Sequence, residues 1–314
     1  MMQRLRNKKV AVFDFAKVNG FCRVARVSKR YGYIFVSVPK SGGNSIRAAL
    51  IRCESRLLDN GRLPEYSAGL ESEYFYRYNM DLRIVPSLIA GVRRGPVVSM
   101  VRNPFSRALS AYHEKIVKTY RMLEGDPQVP LEKKGQRIRR LRELNLPLDR
   151  KVSFEEFLEA LKDMPLEMAD QHFAPQSYLI GFGRIRYDFI GHLERYEQDM
   201  GRLSSVLFGD SSLWREEVGR SENKNVLNYH GGGSIENIME QYSARSVDLV
   251  REYYAGDFAA FGYSLDLAAA VDAPPPIEVE GVRPRGPLTS LATVSFELAI
   301  KNLVLPKLRA VRGG

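Results

Sequence analysis

Cysteine is nearly absent, with Cys22 and Cys53 the only two in 314 residues. They match no metal-ligand spacing, and two reduced thiols in a reducing compartment are the expectation. Long apolar runs are missing too. No stretch approaches the roughly 20 residues of a membrane-spanning helix, and residues 1–30 lack the apolar segment of a secretory leader. Acidic residues are outnumbered, 37 against 47 Lys and Arg, for a net charge of +10. That excess is segregated. Residues 1–30 carry nine basic side chains against one acid, residues 115–151 eleven against five, and residues 282–314 six against one, leaving −9 for the remainder. Charge so localised argues against general nucleic-acid affinity and points to an acidic acceptor or an anionic lipid surface met by the basic ends.

What is present is organised around YIFVSVPKSGGNSIRAALIR, Tyr33 to Arg52. Ile34, Phe35, Val36 and Val38 form a β-rich apolar run that breaks at Pro39 into a small-residue turn. A helical pattern through Ile46, Ala49 and Leu50 follows, so the stretch reads as strand, loop, helix. Gly42 and Gly43 let the backbone approach a ligand, Asn44 or Ser45 is positioned to cap the helix, and the first helical N–H groups suit an anion. Lys40 adds an ammonium beside the same pocket. The lysine precedes the glycines, whereas a Walker A loop needs it after them.

A second strand, Gly95 to Val101, ends in Arg102-Asn103-Pro104-Phe105-Ser106-Arg107 and leads into a helix. Arg102 falls at the carboxyl end of a buried strand, where open α/β sheets place ligands. Pro104 suits a first helical turn, and Ser110 shares that helix with Arg107 and is read as offering its hydroxyl toward whatever Arg102 binds. Further along, Ser153 and Glu156 make a capping-box pair. Residues 116–150 read as a charged helical insertion or lid, and Asp170-Gln171-His172-Phe173-Ala174-Pro175-Gln176 as a polar turn. Tyr187 to Glu194 reads as a short strand and Ser246 to Tyr254 as a closing helix. Gly231-Gly232-Gly233-Ser234 is a flexible loop, and Leu291 to Leu305 a basic amphipathic helix. The expected layout is a basic arm or edge strand over 1–29, one domain over 30–265, and a proline-containing linker with a basic amphipathic helix over 266–314.

The fragments VPKSGGNSI and VRNPFSRALSAYHEK resemble the paired nucleotide motifs of the family 2 carbohydrate sulfotransferases, and DQHFAPQ, YDFIGHLE and REYYAGDFAAFGY are similar to later pieces of the same family. Together they cover about residues 30–265 in family order. The resemblance implies an α/β, P-loop NTPase-like three-layer fold with a mostly parallel central sheet. It also implies the donor 3′-phosphoadenosine 5′-phosphosulfate and a glycan or glycolipid acceptor. It sets Lys40, Ser41, Gly42, Gly43, Asn44 and Ser45 around the 5′-phosphosulfate, and Arg102 and Ser110 on the 3′-phosphate. Lys40 then meets the charge that develops as the bridging oxygen leaves. Sulfuryl transfer involves less charge than phosphoryl transfer, so no metal is demanded by the electrostatics, and no metal-ligand cluster is visible.

For the acceptor proton, His172 is the first choice because an imidazole titrates near working pH. His113, Glu114, Glu71 and Glu73 stay open as alternatives. A P-loop kinase and a non-catalytic glycan-binding relative are the competing functions. The order PKSGGNS argues against the first, the intact Lys40, Arg102 and Ser110 against the second. Eukaryotic members of the family sit in the Golgi behind an anchor. With no anchor visible, a cytoplasmic enzyme of bacterial type, held peripherally at a membrane by its basic ends, is the expectation. Acceptor choice belongs to loops such as 53–80 and 116–150.

Overall fold

The computed structural model describes residues 19–58, 68–77, 95–128, 134–214 and 235–277. Residues 1–18 of the basic amino end, the basic end 282–314, the glycine run at 231–234 and the amphipathic stretch 291–305 lie outside them. Among the described residues, a short helix α1 (Asn19–Val24) leads into β1 (Ala25–Ser28), β2 (Ile34–Val36) and the long helix α2 (Gly43–Leu58). Then come α3 (Ala68–Tyr74), β3 (Phe75–Arg77), β4 (Val97–Val101) and α4 (Pro104–Tyr112). A π-helical turn, His113–Val117, carries α4 on into α5 (Lys118–Leu123). The chain continues with α6 (Lys134–Glu143), α7 (Phe154–Lys162), α8 (Gln176–Leu179), β5 (Phe189–His192) and α9 (Tyr196–Phe208), and closes with α10 (Ile235–Met239), α11 (Ala244–Tyr253) and α12 (Ala255–Phe261).

The five strands form one sheet in the order β3-β1-β2-β4-β5. It is mixed rather than mostly parallel. β2–β4 and β4–β5 are parallel, while β1–β2 and β1–β3 are antiparallel. Residues 29–33 explain part of this, because five residues can turn a hairpin but cannot make the crossover that a parallel pair requires. β1, which falls within the stretch 1–29 read as an arm or edge strand, lies between β2 and β3. Within 53–80, read above as a loop, Tyr74 ends α3 and Phe75 and Tyr76 lie in the edge strand β3.

Side-chain alternation along the strands builds two cores. Ile34, Val36, Val97, Val101 and Ile190 pack with Phe105 and Leu109 of α4, Phe157 of α7 and Val250 of α11. Phe35, Val98, Met100 and Phe189 point the other way, onto Ile46 and Leu50 of α2 and Met200 and Leu203 of α9. Helices therefore cover both faces. α7 has the expected cap, with Ser153 Oγ accepting from Glu156 N and the Glu156 carboxylate accepting from Ser153 N. Beyond residue 265, where the linker was expected, Ala270 is fully buried and Ile277 packs against the first core.

The parallel ladder aligns the carboxyl ends of β2, β4 and β5, with Val36 opposite Ser99 and Val101 opposite His192. At the opposite end of β4, Asp188 secures the pairing. Its N–H donates to Val97 O at 2.8 Å, and its carboxylate accepts from Val97 N at 2.7 Å. Asp188→Ala leaves a buried N–H unpaired and is expected to cost about 1–3 kcal/mol. Urea unfolding should show the midpoint falling with the slope unchanged.

Candidate functional site

The first loop runs from Ser37 to Gly42 between β2 and α2, and its backbone does not sit where an ordinary residue prefers. Lys40 has φ +70° and Gly42 φ +74°. A non-glycine residue there carries strain of about 1–3 kcal/mol and persists only where its surroundings insist on it. The surroundings are three contacts from elsewhere in the chain. Pro39 O accepts from Arg107 Nε at 3.1 Å, Lys40 O accepts from Arg102 Nη1 at 3.3 Å, and Ser41 Oγ donates to Gln176 Oε1 at 2.9 Å. With its carbonyl held toward Arg102, Lys40 is among the residues that line the cavity. A side chain at either glycine would displace a neighbouring side chain, and at Gly42 it would also meet a left-handed backbone. A Cβ at Gly42 would lie 2.7 Å from Leu193 Cδ1, and one at Gly43 2.5 Å from Ser37 Oγ. α2 starts at Gly43, two residues earlier than a cap at Asn44 implies. Asn44 and Ser45 therefore sit in its first turn, and Asn44 Oδ1 accepts from Arg47 Nη2 at 2.5 Å.

The second loop follows β4. Asn103 caps α4 by accepting from Phe105 N at 3.0 Å, with Pro104 as the first helical residue. Arg102 is buried, and its Nε donates to Ser106 Oγ at 2.9 Å. Glu194, just past β5, accepts from Asn103 N at 2.8 Å and from the Tyr263 hydroxyl at 2.9 Å.

A cavity of about 350 Å³ opens against the first loop, lined by Lys40, Gly42, Gly43, Asn44 and Ser45 together with Glu114, Lys115, Gln171 and His172. Arg26 and Arg47 line its flank, tied to the buried carboxylate of Glu71 at 3.2 and 3.1 Å. Four cationic side chains thus face one carboxylate across the cavity. Of the residues singled out in the sequence, Lys40, Gly42, Gly43, Asn44, Ser45 and His172 come together there. Ser41 turns its hydroxyl to Gln176. Arg102 lies behind the loop, reaching its carbonyl side, and Ser110 is buried within α4, outside the cavity lining.

The candidate bases separate clearly. His172 is held by Asp170, whose Oδ1 accepts from His172 N at 2.9 Å and lies 2.5 Å from Nδ1. Asp170 in turn pairs with Arg140 of α6 at 2.9 Å. Nε2 is the ring nitrogen left to the cavity. Burial pushes the imidazole below its ordinary 6.5, while Asp170 pulls it back up. Burial also raises Asp170, but its bonds to His172 and the charge of Arg140 prevail and keep it well below the usual carboxylate range. Glu114 lines the cavity as a spent carboxylate. Burial pushes it up, yet Lys118 at 2.8 Å and the charges of Lys40 and Lys115 hold it at about 2. His113 turns away to Gln241, Glu71 is occupied by the two arginines, and Glu73 is exposed. The π-helical turn explains how neighbours Glu114 and Lys115 both reach the cavity, since its extra residue shifts the helical register there.

Asp170, Gln176, Arg107, Arg26 and Arg47 were not legible as site residues, and Glu71 was read as a possible base instead of the holder of two arginines. Only Asp170 had a local signal, since Asp two residues before another residue's N–H makes an Asx turn. Among the described residues no cluster of His, Cys, Asp and Glu is suited to hold a metal.

Comparison with known proteins matches residues 23–264 to the model of the Sulfotransferase family. Carbohydrate sulfotransferase 14 of Mus musculus is 26% identical over 257 residues, covering 76% of this chain and 60% of the relative. That of Homo sapiens is 25% identical with the same coverage. That of Danio rerio is 29% identical over 177 residues, covering 52% of this chain and 43% of the relative. The chain thus spans about three-fifths or less of the length of these relatives. No solved structure matches significantly. The matches overturn the expectation of a cytoplasmic enzyme, because these relatives belong to the eukaryotic group that the resemblance sets in the Golgi. No helix among the described residues is long and apolar enough to cross a membrane.

The left-handed backbone at residue 40 can be tested apart from its ammonium. Lys40→Gly should be about 1 kcal/mol more stable than Lys40→Ala, because glycine adopts that conformation without penalty. Equal urea midpoints would mean that the loop relaxes once the side chain is gone.

Proposed function

The chain belongs to the sulfotransferase family, and from that premise we propose that it moves a sulfuryl group from 3′-phosphoadenosine 5′-phosphosulfate to a hydroxyl of a polysaccharide, oligosaccharide or glycolipid. The P-loop-like reading of the fold rests on the family. The observation that carries the reaction is one cationic cavity in which a glycine-rich strand-end loop, Lys40 and a carboxylate-held imidazole meet. A second basic strand-end loop lies directly behind it. Two anion loops at the ends of adjacent parallel strands suit a nucleotide with separated phosphates better than one continuous phosphate chain.

In this reading the donor's 5′-phosphosulfate lies on the amino end of α2 beside Lys40, and its 3′-phosphate belongs to the loop of Arg102, with Ser110 on the helix that follows. The acceptor oxygen attacks sulfur in line. A new sulfur–oxygen bond forms as the bond to the bridging oxygen breaks, and that oxygen leaves with the 5′-phosphate. The hydroxyl proton passes to His172 Nε2, and Asp170 steadies the imidazolium that results. Lys40 and the N–H groups of the loop meet the charge growing on the departing phosphate. Glu114 keeps Lys115 and Lys118 paired instead of serving as base, since a carboxyl held at about 2 has little affinity for the proton.

Adenosine 3′,5′-bisphosphate should raise the melting temperature more than ATP with magnesium does, and the reverse order would sink the donor assignment. Lys40→Ala should lower kcat by about 10²–10³ with the fold intact. The pH dependence has a defined sign. The base acts when neutral, and burial sets its pKa below 6.5. Activity should therefore be full near neutrality and fall as pH drops through a value below 6.5. Asp170→Asn removes the charge favouring the imidazolium and should move that acid limb lower while reducing kcat. A limb that stays put would assign the titration to another group.

A further inference from the structure

Gln176 is fully buried, and its carboxamide is used by both loops. Oε1 accepts from Ser41 Oγ at 2.9 Å and from Arg102 N at 2.9 Å, while Nε2 donates to Arg102 O at 2.7 Å. One side chain therefore binds Arg102 in both backbone directions and the first loop through its serine. The parallel ladder spaces β2 and β4 as far as Val36 and Ser99. Beyond those residues the strand ladder no longer sets how far apart the loops stand, and Gln176 spans that gap alongside the Arg102 and Arg107 side chains on the carbonyls of Lys40 and Pro39.

Its own position is fixed from behind. Gln176 N donates to Asp257 Oδ2 at 2.8 Å, and Asp257 Oδ1 accepts from Ser177 N and Ser177 Oγ, each at 2.7 Å. Asp257 is fully buried on α12 and feels the charge of the equally buried Arg107, which in turn holds Pro39 O and, at 3.4 Å, Gln171 O. A buried amide is costly unless each group finds a partner. An apolar side chain would fill the same space without that demand, but it would not tie the loops to each other.

We propose that Gln176 is a positioning residue that sets the spacing of the two anion loops, so that one nucleotide is held at both of its phosphates at once. This rests on the donor reading given above. The consequence is a chelate effect. With the spacing set, the second phosphate binds at high effective concentration once the first is seated, and with the spacing loose that advantage shrinks although both loops keep their own residues.

The test is the affinity ratio between adenosine 3′,5′-bisphosphate and adenosine 5′-monophosphate, measured by calorimetry for the full chain, for Gln176→Met and for Ser41→Ala. The wild-type chain should strongly prefer the bisphosphate. Gln176→Met should cut that preference by about tenfold or more, with the monophosphate affinity nearly unchanged. Ser41→Ala, which removes the bond by which Gln176 holds the first loop, should cut it as well, and the double variant no further than Gln176→Met. A merely structural glutamine would lower the melting temperature and weaken both nucleotides alike, leaving the ratio intact, and that result overturns the proposal. Should Gln176→Met fail to fold, Ser41→Ala decides alone, an unchanged ratio again overturning it. No preference in the wild-type chain would overturn the donor reading itself, and the proposal with it.

Discussion

Arg107 has no exposure to solvent, and from that position it donates to the carbonyl of Pro39. Burying a guanidinium is expensive unless its charge is answered nearby. Here burial depresses its proton affinity while Tyr254 and Asp257 counter that effect. The return is a first loop whose carbonyls face inward, on Arg107 and Arg102, and whose Lys40 backbone is kept in a conformation it would otherwise avoid. The cationic cavity, the placement of α2 and the link to the second loop all depend on that loop staying where the buried arginine holds it.

Charge has been sorted by depth. The outer layer of the site is basic, with Lys40, Lys115, Arg26 and Arg47 on the cavity. Apart from Glu114 on the cavity itself, the carboxylates stand one step back as holders, Glu71 for two arginines, Asp170 for His172 and Arg140, and Glu194 for the backbone of Asn103. An anionic guest thus meets cations whose orientation is already set, which is the arrangement that electrostatic preorganisation requires. The basic segment at 115–151 belongs to this scheme. Lys115 lines the cavity and Arg140 steadies the Asp170–His172 pair, so part of its surplus charge works at the site instead of on a detached lid.

Local patterns were readable where the chemistry is local. The strand, glycine turn and helix at 34–58, the proline start of α4 and the Ser153–Glu156 cap each depend on neighbours within a few residues, and each stands as the residue pattern implied. His172 was legible as an imidazole in a polar turn, and Asp170 lies close enough that its Asx turn was within reach. The mixed sheet was not legible, because alternation along a strand says which face is buried but not which strand lies alongside or in what direction. β1, read as an arm or an edge, turned out to be interior for that reason.

The amino-acid sequence alone carried the fragments that resemble the sulfotransferase family, and it determined the two basic strand-end turns and the residue types that can meet an anion, because turns and residue types depend on short spacing. Only the tertiary structure decided which side chains face the cavity and which hold its walls. Ser41 and Gln176 are 135 residues apart, and Gln176 and Asp257 are 81 apart. Contacts across such separations are settled by how helices seat on a twisted sheet, and no local periodicity carries that information.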